Sequence, residues 1–132
     1  MIAVDTNILL RYVVRDDPEQ LEKAANFFRE RTTEDPAYVS LIVVAEMIWV
    51  LRRLYRYSTE QVRAALLHLI ETAELEFEEE QCLVRLLSSG AVVKFDLADH
   101  LITLSGAKAG CSHTVTFDKR AAKSVPGMEL LA

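Results

Sequence analysis

Apolar and polar positions along this chain switch repeatedly between two periods. Ile2 to Val4 is a short apolar run, and Asn7 to Val13 continues it at helical spacing, so a buried strand and a helix are predicted in turn. Asp17-Pro18-Glu19 sets an acid at the N-cap and a proline at the first helical position, with Leu21, Ala24, Ala25 and Phe28 following at helical spacing. Pro36 to Val39 predicts a second strand. Ser40 caps a long helix through Leu54, and Ser58 with Gln61 forms a capping-box pattern that opens another through Ile70. Leu75-Glu-Phe-Glu alternates like a strand, and Glu79 to Leu87 is again helical. Asp96 starts a helix to about Ala109, where Gly110 stops it. His113 to Thr116 predicts a strand, Asp118 a short helix, and Met128 to Leu131 a closing strand.

Strands and helices alternate along nearly the whole chain. That order predicts an α/β fold: a three-layer sandwich with a parallel central sheet of four to five strands, flanked by helices on both faces. Ligands in such sheets bind beyond the carboxyl ends of the strands. The 132 residues show no repeat, linker or low-complexity tract, and suit a single domain, 1–132.

Composition narrows the class. With 51% hydrophobic and 27% charged residues the chain is globular. No apolar run reaches the roughly 18 residues that would span a membrane. Asp5 and Arg11 interrupt the early apolar stretch and no small-residue cleavage site follows, so a signal peptide is not expected and a cytoplasmic location is. Cys82 and Cys111 form neither a disulfide framework nor a metal spacing, and read as reduced thiols in packed positions. The net charge of −5 argues against broad electrostatic binding to nucleic acid. It leaves room for a nucleic-acid enzyme whose metal ions supply positive charge locally.

Four acids stand where chemistry is expected. Asp5 directly follows the first strand, at what should be the carboxyl edge of a central strand; it also fits a helix N-cap. Glu46 lies in SLIVVAEMIWVL and shares its helical face with Ile42, Trp49, Val50 and Arg53. A carboxylate in that company calls for a specific partner, whether Arg53 or a cation. Asp99, three residues after the cap Asp96, occupies the first turn of its helix, where an acid also favours the helix dipole. Asp118 ends a strand and can cap the last helix. Carboxylates gathered at one sheet edge would repel unless divalent cations lay between them. Oxygen-only donors suit Mg²⁺ or Mn²⁺ rather than zinc, and such ions serve metal-assisted phosphodiester cleavage.

The order V-D-T-N near the start, A-E in an apolar helix, D-x-x-D-x-L-I opening a later helix and T-F-D after a strand resembles PIN-domain ribonucleases. Within that superfamily the chain is most similar to VapC toxins of toxin–antitoxin pairs. The resemblance runs from Met1 to the closing GMELL. It implies that Asp5, Glu46 and Asp99 are the catalytic, metal-holding acids, with Asp118 at a fourth, more variable position. Thr6, Asn7 and Thr116 match small polar residues that support the acids, and Asp96 falls outside the core set. The resemblance further implies RNA as substrate, Mg²⁺ or Mn²⁺ as cofactor, a homodimer, and an antitoxin protein (VapB-like) across the active-site groove.

The basic residues follow the acidic motifs: Arg11 and Arg15 after Asp5, Arg52, Arg53 and Arg56 after Glu46, Lys119 and Arg120 after Asp118. They can line a rim that touches RNA phosphates. Arg53, two turns from Glu46 on the same face, is the foremost candidate. Tyr12, Trp49, Tyr55 and Tyr57 read as core or interface. His68, His100 and His113 show no catalytic context. An aspartyl-nucleophile phosphatase would want a second aspartate at position 7, where this chain has Asn7. The remaining alternative is a catalytically silent PIN-like module that binds a protein partner.

Overall fold

The fold begins with two crossovers, because strands that run parallel cannot be joined by a tight turn. Strand β1 (Ile2–Ala3) leads through helices α1 (Thr6–Val14) and α2 (Pro18–Arg29) to β2 (Ala37–Val39). From there α3 (Leu41–Arg53) and α4 (Thr59–Ile70) return the chain to β3 (Leu75–Phe77). The computed structural model describes residues 1–89 and 97–131.

In this first sheet the order is β1-β2-β3, both pairs parallel, with Ile2 opposite Ala37 and Ala37 opposite Leu75. The middle strand is therefore β2. Its Ala37 and Val39 are fully buried, whereas Ile2 on the edge strand is exposed. Within this three-stranded sheet β1 ends the order, and Asp5 follows it into α1. Two residues of strand are too few for apolar periodicity to say which neighbours they have.

Helices α2, α3 and α4 start where their cap residues predict. The Ser40 hydroxyl accepts from the Val43 N–H at 3.2 Å, and the Glu78 carboxylate adds an acceptor for the Leu41 N–H at 3.1 Å. Ser58 and Gln61 form a reciprocal capping box, and the Asp17 side chain accepts from Gln20 N–H ahead of Pro18. Helix α1 ends on Arg15 in the left-handed region, φ 61°, its N–H bonded to the Arg11 carbonyl. Leu9, Val44, Met47, Leu51, Val62, Leu66 and Leu69 close the core of this part.

The chain forms two compact units, Met1–Val84 and Arg85–Ala132, passing from one to the other within α5 (Glu80–Ser88). The second unit holds α6 (Leu97–Lys108), β4 (Thr114–Thr116), α7 (Lys119–Ser124) and β5 (Met128–Leu130). Strands β4 and β5 are parallel, Thr114 opposite Met128, with α7 as their crossover. Ala121, Val125 and Met128 pack together beneath it. Gly127 takes φ +90°, and a Cβ there would lie 2.6 Å from the Thr103 methyl, so only glycine lets the turn before β5 approach α6.

The expected helix-flanked parallel arrangement is thus present, its five described strands paired as three and two. Asp96 lies outside the described residues. One packing expectation is corrected: Cys82 is half-buried but Cys111 is exposed, just beyond the Gly110 helix stop.

Candidate active site

Asp5 sits at the turn from β1 into α1. Its Oδ1 accepts from the Thr6 N–H at 2.7 Å, which makes it the N-cap, and its side chain is exposed. Thr6 is buried beside it and Asn7 is exposed in the first helical turn. Asp5 and Asn7 open on a cleft of about 470 Å³ between β1, α1 and α2. Arg11 of α1, with Gln20, Lys23 and Phe27 of α2, lines the rest of its polar and aromatic wall.

Arg11 is the fixed point of that wall. Its Nε donates to Gln20 Oε1 at 2.7 Å, and its Nη1 to Asp16 Oδ1 at 2.8 Å and to the Tyr55 hydroxyl at 3.1 Å. The Tyr55 hydroxyl in turn donates to Asp16 Oδ2 at 2.9 Å. The hydrogen bond from Tyr55, more than the one from Arg11, holds the Asp16 carboxyl below the usual range; the same Tyr55 and Asp16 contacts raise Arg11 further. Tyr55 is thus engaged in a polar network, and Tyr12 packs its ring against Phe28 at 4.9 Å under the Arg15 guanidinium.

Glu46 lies in the same unit in different surroundings. It is exposed on α3 beside Ile42 (80% exposed), Trp49 (56%) and Arg53, at positions i−4, i+3 and i+7. The opposite side of the helix, Val44, Met47, Ile48 and Leu51, is the buried one. The apolar residues that share the Glu46 face do not bury it, and Trp49, read as core or interface, is not in the core of this structure but exposed. Nor does Glu46 pair with Arg53 among the described residues.

In the second unit, Asp99 is half-buried in the first turn of α6, and its carbonyl accepts from Thr103 Oγ1 at 3.2 Å. Asp118 follows β4 and caps α7, its Oδ1 accepting from Arg120 N–H at 2.9 Å and Ala121 N–H at 3.0 Å. Its own N–H donates to Thr116 Oγ1 at 3.0 Å, so Thr116 holds the turn that carries Asp118. Lys119 and Arg120 are exposed beside it. His113 bonds Ser112 and faces Glu129 at 3.3 Å.

The structure therefore groups Asp5 with Asn7 in one cleft, and places Glu46, Asp99 and Asp118 on three other elements. Among the described residues no three Asp, Glu, His or Cys side chains stand close enough to hold a metal ion. The donor chemistry still suits Mg²⁺, which takes one or two carboxylates and fills its shell with water and substrate oxygens. Only one Asp5 oxygen is used by the cap. The sequence reading missed Gln20 and Lys23. Their signal was the spacing of Gln20, Lys23, Ala24 and Phe27, which puts all four on one side of α2.

No described helix is long and apolar enough to cross a membrane. The PIN domain family model matches residues 2–126, a span that takes in all four acids. No curated protein and no solved structure matches the chain.

Proposed function

The chain belongs to the PIN-domain family, and on that premise we propose that it is a metal-dependent endoribonuclease hydrolysing RNA phosphodiester bonds. PIN domains are generally nucleases and often the toxins of toxin–antitoxin systems. The observation that carries the reading is the family match over residues 2–126, which spans Asp5, Glu46, Asp99 and Asp118 in the expected order.

In this reading Asp5, Glu46 and Asp99 hold Mg²⁺ or Mn²⁺, with Asp118 assisting, and Thr6, Asn7 and Thr116 support the acids. Bound by these acids, a divalent ion would supply Lewis-acid activation of water and charge compensation for phosphodiester hydrolysis. The protein's own part is positional. Thr6 N–H fixes the Asp5 carboxylate through one oxygen and leaves the other for a cation. Asn7 presents an amide at the same turn, and in this reading Arg53, exposed on α3, contributes a cation for an RNA phosphate. The toxin role, a VapB-like antitoxin partner, a homodimer and a cytoplasmic location belong to the same proposal. Exposed Ile42 and Trp49 on α3 support a protein partner, and they equally favour the second reading, a silent PIN-like binding module.

The test is RNA cleavage with Mg²⁺ or Mn²⁺ by the full chain freed of any antitoxin, beside Asp5→Asn and Glu46→Gln. Cleavage by the wild type and its loss in both variants is expected. No cleavage by the wild type, or equal activity in all three proteins, overturns the nuclease reading and favours the binding module.

A further inference from the structure

The cleft beside Asp5 has a composition that metal binding alone does not require. Its volume of about 470 Å³ falls within the roughly 300–1,000 Å³ of small-molecule sites. Two cations, Arg11 and Lys23, line it beside the acid Asp5, each of them also paired with a carboxylate outside the lining, Asp16 and Glu19. The two cations are differently prepared. Arg11 is held in place by Gln20, Asp16 and Tyr55 through Nε and Nη1, and Nη2 has no partner among the described residues. Among the described residues Lys23 is committed only to Glu19, at 3.2 Å in an exposed pair, of the kind that contributes little and yields readily to a better anion.

Ile8, Ala24 and Phe27 add apolar surface to the same lining, and the Phe27 ring is kept in place by the Arg31 guanidinium at 4.9 Å and by the Phe28 ring at 5.3 Å. Two amides share the lining. Gln20 spends its oxygen on Arg11, which leaves its NH₂ to donate, and Asn7 offers both a donor and an acceptor. An apolar and aromatic wall, two amides and two cations are the parts that read a base on one side and a phosphate on the other.

We propose that this cleft seats one nucleotide of the RNA strand, with its base against Phe27 and Ile8 and its phosphate on Lys23 and Arg11. The inference rests on the nuclease reading for its choice of RNA, and it assigns to α2 the grip on the strand next to Asp5.

The experiment measures binding apart from cleavage. A fluorescent single-stranded oligoribonucleotide is titrated with the full chain in EDTA and followed by anisotropy. Lys23→Glu weakens binding about tenfold and lowers the salt slope by about one, the loss of one phosphate contact. Arg63→Glu, the same charge change on α4, shifts it less than about twofold. Lys23 is exposed, so the variant keeps the fold. An oligonucleotide carrying 5-iodouracil, irradiated on the wild-type protein, crosslinks within residues 20–27. Equal binding by Lys23→Glu and Arg63→Glu, with crosslinks outside that segment, overturns the proposal even if Asp5→Asn abolishes cleavage. Crosslinking at the cleft with no cleavage under any metal overturns the nuclease reading and leaves the cleft as an RNA site. Displacement of the oligonucleotide from wild type but not Lys23→Glu by a short poly-glutamate peptide, without crosslinks in the segment, makes the cleft a peptide site and also overturns it.

Discussion

Asp5 and Glu46 belong to one unit and to one proposed site, yet their surroundings are opposites. Asp5 stands at a concave turn among Asn7, Arg11, Gln20 and Lys23, with one oxygen fixed by the Thr6 N–H. Glu46 stands on the open side of α3, with Ile42 and Trp49 exposed around it and no fixed partner among the described residues. The same carboxylate chemistry is thus held by backbone geometry in one place and by helical position alone in the other. The difference teaches that an acid embedded in apolar sequence need not be an acid embedded in apolar structure. A helix apolar all round must leave some of that surface facing outward when only one side meets the core.

The largest effect that could break this contrast is catalytic. If both acids hold the ion, Asp5→Asn and Glu46→Gln each lower RNA cleavage by more than about a hundredfold, beyond the loss usual for residues that merely support ligands. If only the Asp5 side matters, Glu46→Gln retains wild-type rates, and single-turnover assays separate the two outcomes. Next comes packing on α3. Leu51→Ala, on the buried face, costs about 2–5 kcal/mol, while Ile42→Ala on the Glu46 face stays within about 0.5 kcal/mol. Urea unfolding measures both, and a large cost at Ile42 would mean that this face is covered. Smaller again is the cap that orients the Gln20 side of the cleft: Asp17→Ala loses about 1 kcal/mol, read by the same unfolding curves.

The smallest effect concerns pH. Asp16 titrates below the ordinary carboxylate range because Tyr55 and Arg11 stabilise its charged form. A carboxyl lowered on folding contributes stability that is present above its unfolded value and is lost as the pH falls through its lowered folded value. Tyr55→Phe removes the larger of those contacts, so the Asp16 carboxyl titrates nearer its ordinary value and protonates at higher pH. An NMR titration of the Asp16 carboxyl carbon in both proteins reads the upward shift; unchanged midpoints would dissolve the network as described.

Much of this contrast was legible in local chemistry. Asp17-Pro18, Ser40 and the Ser58–Gln61 box each act within a few residues, so their helices begin where the pattern set them. Asp5 and Asp118 carried a cap and a candidate ligand role together, and both are caps in the structure. What stayed illegible depends on neighbours distant in sequence. The exposure of Trp49 and the exposure of Cys111 both follow from which surface packs on which, information that a helical period does not contain. The Arg11–Tyr55 contact, 44 residues apart, is of the same kind. Asp99 kept its place in the first turn of α6, while its partner in the motif, Asp96, lies outside the described residues.

Arg11 also has a consequence for motion. Its bonds tie the end of α1, the Asp16 turn, the start of α2 and the segment after α3 through one guanidinium. Amides in those four stretches should then lose hydrogen-exchange protection as a single opening unit rather than fray separately. Lysine at position 11 keeps the charge but lacks the planar fork, and with it the shared opening rate would divide into several. The exchange of those amides is thus expected to report on one side chain, a single guanidinium beside the Asp5 cleft.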